Sequence, residues 1–411
     1  MTSNRPPLMP VVEARRLMLA TTARLPTETL PIAEAAGHVL AAPVAARTAQ
    51  PPYPASAMDG YALRHADVAT LPATLTVIGE APAGAPFPGE VKAGEAVRIF
   101  TGGLVPKGAD TVVIQEDVEA ASGRITIREE QTPGDNIRGA GIDFRKGEQL
   151  AAAGGLLDGV ALSLLAAGNV AEVTVYRRPR IALMASGDEL VPPGGALQPG
   201  QVVNSIAPGL AALCRQWGAE VVHVGHARDT QDAIQAELAS LLQADVAVMI
   251  GGASVGDYDL VKPALDGKGL QMDFSKTALK PGKPVWSGRI GETRILGLPG
   301  NPVSAFVCAH LFLKPLLFAL TGRDPEEAVA LVTARLECGL KPNGPREAFM
   351  NASARLEGGV LKVRPRRRQD SGLLSPLGHA NCLINRAPGA TAVEDGAAVR
   401  ILLTRPLGPM T

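Results

Sequence analysis

The sequence predicts a multidomain α/β plus β protein. A central doubly wound parallel α/β domain is accompanied by a helical linker domain, a β insert domain and a C-terminal β-barrel-like domain. Three observations predict this. The 411 residues exceed one ordinary core, since about 150 residues per domain is usual. Apolar runs alternate with helical periodicity between residues 179 and 320. Gly 45 and Pro 34 make up about a fifth of the chain without a Gly-X-Y period, which calls for many turns and short strands in the rest.

Taken in order, Val11 to Ala42 has apolar residues three and four apart and reads as helix, punctuated by Pro26 and Pro31. Pro51 to Arg138 is rich in Pro and Gly, with short alternating runs such as Leu75–Ile78, Ala96–Ile99 and Thr111–Ile114, the pattern of a small antiparallel or barrel-like domain. Residues 152–170 return to helix, ending at Gly168, and are expected to pack against the first helical piece. Strands then follow at Arg180–Met184, Glu220–Val224, Val246–Ile250 and Arg294–Leu298, with helices at Ala207–Trp217 and Thr230–Leu242 and a long one from Val303. Short runs resume at Gly359–Val363 and Ala398–Leu403. The expected domains are 1–53 with 139–178, then 54–138, 179–323 and 324–411.

Composition excludes several functions. Hydrophobic residues at 46% and charged residues at 19% exclude a disordered chain. Forty Lys+Arg against forty Asp+Glu give no net field toward nucleic acid or anionic lipid, and 3% aromatics leave little stacking surface for single strands. Cys214, Cys308, Cys338 and Cys382 have no CxxC or Cys/His spacing and read as buried small hydrophobes in a reducing compartment. The most apolar stretch is interrupted by His310, Lys314 and Pro315, and the N-terminal residues lack a signal-peptide order, so neither membrane insertion nor export is expected and cytoplasm is the default.

The expected chemistry sits where strands run into loops of Gly, Pro, Ser and carboxylates, because ligands of open α/β sheets bind at the carboxyl ends of strands. In Ala185–Leu190, Gly187 permits a tight exit and Glu189 presents a carboxylate, although the composition alone favours a surface turn. In Gly251–Asp259 the glycines let backbone N–H groups face an anion, with Ser254 inside the loop and Asp259 placed to hold a metal ion or a hydroxyl. A plain Gly-rich turn capped by Asp is the other reading. No GxxxxGK[ST] is present, which excludes a P-loop NTPase. In Leu298–Ser304, Pro299 and Pro302 bracket a Gly-Asn turn at Asn301 and stiffen it before a ligand arrives. Lys276, Lys280 and Lys283 lie between the last two loops, either solvated or offered to an oxyanion. Elsewhere Asp59 in Ser56–Ala62 is an Asx-type turn or a catalytic acid, and the segments holding Thr101 and Asp143 share that ambiguity. Six histidines show no triad-like motif, so electrophilic, metal-assisted chemistry is expected.

In their order along the chain, PPYPASAMDGYA, RIFTGG, GDNIRGAGIDFRKGE, ASGDEL, GGASVGDYDLVK, KPGKP and LPGNPVSA closely resemble the MoeA/gephyrin E-domain family of molybdopterin molybdenumtransferases. The resemblance implies an elongated four-domain subunit whose α/β domain binds the pterin dithiolene, working as a homodimer in which the β insert reaches the partner's site. The implied reaction inserts molybdenum from molybdate into adenylylated molybdopterin, with Mg²⁺, and releases AMP and molybdenum cofactor. Matched by motif, Asp59, Thr101, Asp143, Glu189, Asp229 and Asp259 are the implied polar residues, and Lys276 and Lys280 the implied basic ones. Glu189 and Asp259 are the implied metal ligands. Gly251, Gly252, Ser254, Pro299, Asn301 and Pro302 are the implied cofactor-binding positions, joined by Lys283, Ser304 and Ser371 as oxyanion contacts. The molybdopterin adenylyltransferase and apo-molybdoenzymes are the implied protein partners.

Two departures stand out. Asn204-Ser205-Ile206 replaces the family's usual Asp-Ser-Asn, and Asn351 stands where the family usually has Arg, leaving Arg346 as the nearest basic residue. They leave room for a paralogue that carries molybdopterin without inserting metal. Adenylylation of molybdopterin would use the α/β domain alone and leave the other domains without a task.

Overall fold

The computed structural model describes residues 8–251 and 261–408. The chain forms two compact units, one of Met1–Glu28, Gly37–Ala41 and Val175–Thr411, the other of Thr29–Ala36 and Ala42–Thr174.

Helix α1 (Val11–Ala20) begins directly after Pro10 and buries Val11, Ala14, Arg15 and Met18, one face at helical spacing. That face enters a core with Ile181, Leu183 and Leu210. The helix expected to run to Ala42 stops here. The hydroxyls of Thr21 and Thr22 turn back to the Met18 carbonyl, and after Pro26 the chain is a strand at Thr27–Pro31 with no buried residue. Apolar spacing misled because the prolines remove the amide donors a helix needs.

The second unit holds a six-stranded sheet in the order Thr111–Ile114, Gly60–Leu63, Glu95–Ile99, Ala73–Ala81, Arg124–Ile127, Val118–Ala121. Apolar clusters lie on both faces, one with Leu63, Leu75 and Ile125, the other with Ala62, Val97 and Ile99. Gly60 is fixed by sterics, since a Cβ there would overlap the Val113 carbonyl of the neighbouring strand. Helix α2 (Gly159–Ala167) is capped by Asp158, whose carboxylate accepts from Ala161 N at 2.8 Å, and it ends at Gly168 as expected. It buries only Leu165. Helix α1, by contrast, falls in the other unit and contributes to that unit's core.

The central sheet comprises β1 (Arg180–Ser186), β2 (Glu220–Ala227), β3 (Val246–Ile250), β4 (Gln271–Ser275), β5 (Trp286–Ile290) and β6 (Thr293–Leu298), in the order β2-β1-β3-β6-β5-β4. The first four in that order are parallel and the last two add an antiparallel edge. Alternate residues of β1, β3 and β6 feed two cores. Ile181, Val248 and Leu296 pack with α1 and α3 (Ile206–Gln216), whereas Met184, Met249 and Ile295 pack with α4 (Gln231–Leu241) and α5 (Val261–Asp266). Burial on both faces explains the near-continuous apolar runs. From β1 the chain moves outward to β2, then returns to place β3 on the other side, which makes the β1/β3 gap the switch point where a crevice opens.

Across β5 and β6, Trp286 stands opposite Gly297, and a Cβ at Gly297 would overlap the buried indole. Gly297→Ala is therefore expected to cost about 1–3 kcal/mol of stability by overpacking. The urea midpoint followed by tryptophan fluorescence measures it, and an unchanged midpoint would contradict the packing.

From α6 (Pro302–Cys308) the chain passes through a π-helical turn at Ala309–Leu313 into α7 (Lys314–Leu320), and the widening falls just before Pro315, which cannot donate the next helical hydrogen bond. This run of 19 residues is long and apolar enough to cross a membrane, but 83% of it is buried inside the fold, as expected of a core helix.

Strands β7 (Leu331–Leu336), β8 (Glu347–Glu357), β9 (Val360–Pro365), β10 (Cys382–Arg386) and β11 (Ala398–Leu403) pair as β8-β9-β7-β11-β10, and β10 pairs again with β8, closing a five-stranded barrel. Its interior holds Leu336, Ala352, Val363, Ile384 and Ile401. Leu279–Lys280 adds in parallel to β8, opposite Glu347 and Ala348, so the lysine segment is bound to the barrel wall. The expected fold class, multidomain α/β plus β with a barrel at the end, is observed. One cysteine differs from expectation: Cys214, Cys308 and Cys382 are buried, but Cys338 is exposed at a barrel loop.

Candidate functional site

Four loops meet at the switch point and line a crevice of about 800 Å³. Ser186, Gly187 and Glu189 follow β1, Asp229 follows β2, Gly251 follows β3, and Pro299, Asn301 and Pro302 follow β6. Close approach of backbones dictates the glycines. Gly251 has φ 91°, and a Cβ on it would stand 2.7 Å from the Ser186 carbonyl. Gly187 has φ 151°, and its missing Cβ leaves room for the Glu189 carboxylate. Ser186 Oγ is buried without a hydrogen-bond partner, and Asn301, at the N-cap of α6, does not spend its side chain on the helix. Both remain available to a guest.

The crevice is acidic. Burial first, then the charges of Asp188 and Glu189, push the Asp229 carboxyl above its ordinary range. No Lys or Arg is among the described residues lining it. Asn204, Ser205 and Ile206 form the opposite wall at the start of α3, and Asn204 Oδ1 accepts from Ala207 N at 3.4 Å.

A second pocket of about 710 Å³ lies between the lysine segment and the barrel, and its electrostatics are the reverse. Lys280 and Lys283 enter it with Ser304 and Ser371, while the barrel adds Lys341, Arg346, Arg366, Arg367 and Arg386. Among the described residues, no Asp or Glu lines it. Pro284 lines both pockets, and Val303 N donates to the Ser371 carbonyl at 3.0 Å, so the two cavities adjoin across one tied pair of loops.

Of the residues anticipated from sequence, the crevice gathers Glu189, Asp229, Gly251, Pro299, Asn301 and Pro302, and the cationic pocket gathers Lys280, Lys283, Ser304 and Ser371. Lys276 lines neither; it holds a left-handed turn at φ 65°. Gly252, Ser254 and Asp259 lie outside the described residues. Asp59, Thr101 and Asp143 belong to the other unit. Asn351 is buried, its Oδ1 has no partner, and it is not in the pocket wall, whereas Arg346 is, with Nη1 donating to the Leu279 carbonyl at 3.1 Å. Arg366 and Arg367 were not anticipated, although the run Arg364-Pro-Arg-Arg-Arg368 carries a visible charge signal.

In the second unit the Asp59 carboxylate accepts from both the backbone N and the Oγ1 of Thr101, each at 2.8 Å, and so ties the Met-Asp-Gly turn to the Thr-Gly-Gly loop. These bonds, the backbone one first, hold the Asp59 carboxyl below the usual range. A lowered folded value means that the stability it contributes is present above the unfolded carboxylate value of about 3.9 and is lost as pH falls through the lowered value. Thr101→Val should return the Asp59 titration upward when followed by carboxyl NMR, and an unchanged titration would discount the hydroxyl contact.

An acidic crevice at an α/β switch point, walled by Gly and Pro turns and adjoined by a pocket whose described lining is cationic, defines a class: multidomain α/β proteins with paired ligand pockets of opposite charge. Comparison with known proteins narrows it. Family models match at residues 9–168 (MoeA N-terminal region, domain I and II), 182–319 (probable molybdopterin binding domain) and 333–404 (MoeA C-terminal region, domain IV). The molybdopterin molybdenumtransferase of Nostoc sp. is 35% identical over 385 residues, 92% of this chain and 88% of that one. That of Haemophilus influenzae is 36% identical over 381 residues, covering 91% and 93%. The crystal structure of the molybdopterin biosynthesis MoeA protein from Pyrococcus horikoshii superposes with a TM-score of 0.82 at 29% identity, covering 97% of this chain and all of that one. The chain belongs to the MoeA family.

Proposed function

We propose that this protein inserts molybdenum from molybdate into adenylylated molybdopterin, releasing AMP and molybdenum cofactor, as a molybdopterin molybdenumtransferase. The observation that carries the reading is the juxtaposition of two oppositely charged cavities across Pro284 and the Val303–Ser371 tie. The cationic pocket suits molybdate, with Lys280 and Lys283 supplying charge and the hydroxyls of Ser304 and Ser371 donating hydrogen bonds. The crevice suits the pterin end, with the fixed turns at Gly251 and Pro299–Pro302 holding it and the surrounding loops excluding water.

The crevice residues also fit Mg²⁺. Burial first, and then the charges of Asp188 and Glu189, raise Asp229, and Glu189 offers a second hard oxygen donor. One or two carboxylates suffice for Mg²⁺ where substrate phosphates complete its coordination. When bound, Mg²⁺ neutralises phosphate charge and polarises the phosphoryl oxygens. Glu189 and Asp229 would hold it, with Asp259 the further candidate from sequence.

We assign a homodimer with the active site shared between subunits. On α2, Val160 (79% exposed) and Leu164 (36%) lie four residues apart on a helix that buries one side chain, and Leu156 (46%) is exposed just before it, an apolar surface suited to a second copy. The four cysteines, all free, fit a cytoplasmic setting. The reaction needs a supplier of adenylylated molybdopterin, the adenylyltransferase, and apo-molybdoenzymes to receive the product. The deciding experiment incubates the protein with adenylyl-molybdopterin, Mg²⁺ and molybdate, then measures AMP and reconstituted molybdoenzyme activity. Both are expected to rise together. No AMP above blank with pterin retained would make the protein a carrier instead.

A further inference from the structure

We propose that Arg366 and Arg367 are specificity-determining contacts of the cationic pocket, reading a tetrahedral dianion through their guanidinium groups; the inference rests on the transferase reading above. Both arginines line the pocket beside Lys280 and Lys283, where no carboxylate among the described residues neutralises them. Most other guanidiniums nearby are already occupied. Arg346 donates to the Leu279 carbonyl and Arg386 to the carbonyls of Lys341, Ala390 and Thr391. Arg355 and Arg364 pair with Glu337 on the barrel surface. Neither Arg366 nor Arg367 spends its guanidinium on a carboxylate or a backbone carbonyl among the described residues, Arg366 meeting only the Ser353 hydroxyl, so these two are the ones best placed for an incoming anion.

The turn that carries them is anchored. Arg366 N donates to the Asn351 carbonyl at 2.9 Å, and its Nη1 reaches Ser353 Oγ at 3.3 Å, which orients the half-buried side chain. The Gln369 amide accepts from Asn351 N at 3.0 Å and donates to the carbonyls of Asn351 and Arg366 at 2.9 and 2.8 Å. The segment after β9 is thus stapled to β8, and an anchored planar donor discriminates oxyanion geometry better than mobile lysine ammonium groups. Arg368, the next residue, is exposed and lines an adjoining recess with Arg364 and Ser375; Arg366 and Arg367 border that recess as well, but Arg368 is not in the wall of the cationic pocket. It provides a control of equal charge and near-equal position.

The test is equilibrium dialysis of the full chain against molybdate, with bound molybdenum quantified by elemental analysis and sulfate as competitor. Arg366→Gln and Arg367→Gln are each expected to weaken molybdate binding about tenfold or more, as lost charge-assisted hydrogen bonds do. Arg368→Gln should stay within about twofold, since a screened surface charge contributes little. Arg366→Lys, which keeps the charge and loses the fork, should fall between, and it serves if Arg366→Gln disturbs the Ser353 contact and lowers the melting temperature. Affinity within about twofold of wild type for either arginine-to-glutamine variant, or an equal loss in Arg368→Gln, would overturn the inference while leaving the transferase reading standing. Wild-type protein that binds no molybdate would overturn both.

Discussion

Glu189→Gln combined with Asp229→Asn should lower AMP release from adenylyl-molybdopterin by about 100-fold or more, the scale seen when electrostatic groups in a site are removed. Both amides keep the volume of the carboxylates and remove the charge, so the crevice keeps its shape and loses its affinity for a hard cation. Stability should move the other way. The Asp229 carboxyl is raised in the folded protein by burial and by Asp188 and Glu189, so the folded state binds its proton more tightly than the unfolded chain does. Ionisation at neutral pH therefore costs stability, and removing the charge relieves that cost. Lost turnover with an equal or higher melting temperature is the signature of acids kept for function. Turnover within threefold of wild type would remove Glu189 and Asp229 from the site, and a lower melting temperature would show that they serve the fold.

The sequence exposed the parts of this protein whose physics is local. β1, β3 and β6 are apolar runs that end in Gly- or Pro-bearing turns, and the same residues that stop the strands form the crevice, so the nearness of Gly251, Pro299 and Asn301 is legible in the sequence. What stayed hidden depends on distant pairing. The strand at Thr27–Pro31 has no buried residue to give it a period, and the apolar spacing of residues 21–42 imitated a helix. The arginines at 366 and 367 read as a charge run, but which cavity they face is decided only when β10 closes the barrel against β8 and Gln369 staples the turn. Asn351 is the converse case: the motif placed it at the oxyanion, and the fold places it in the barrel wall with its backbone held by Gln369. The exposure of Cys338 has no signal in its neighbours, because a lone thiol is as compatible with a core as with a loop.

Heterodimers of Asp59→Ala and Glu189→Gln subunits, purified through two different tags, should regain about half of wild-type turnover although each homodimer is inactive. The reasoning is geometric. If each site joins the Asp59–Thr101 loop of one subunit to the crevice of its partner, the mixed dimer contains one site with both defects and one with neither. Asp59 suits the role because its carboxylate is spent on Thr101, so its removal frees a loop locally and leaves the apolar clusters of the second unit intact. Val160→Asp supplies the control. A charge at Val160, the most exposed of the large apolar residues on α2, should hold the subunits apart in light scattering and abolish the rescue, because burying an unpaired carboxylate in an apolar interface costs more than the contact returns. A purified heterodimer no more active than its parents would show that the crevice and the Asp59 loop do not complete one another across subunits, and a fully active Val160→Asp monomer would show that no partner is needed.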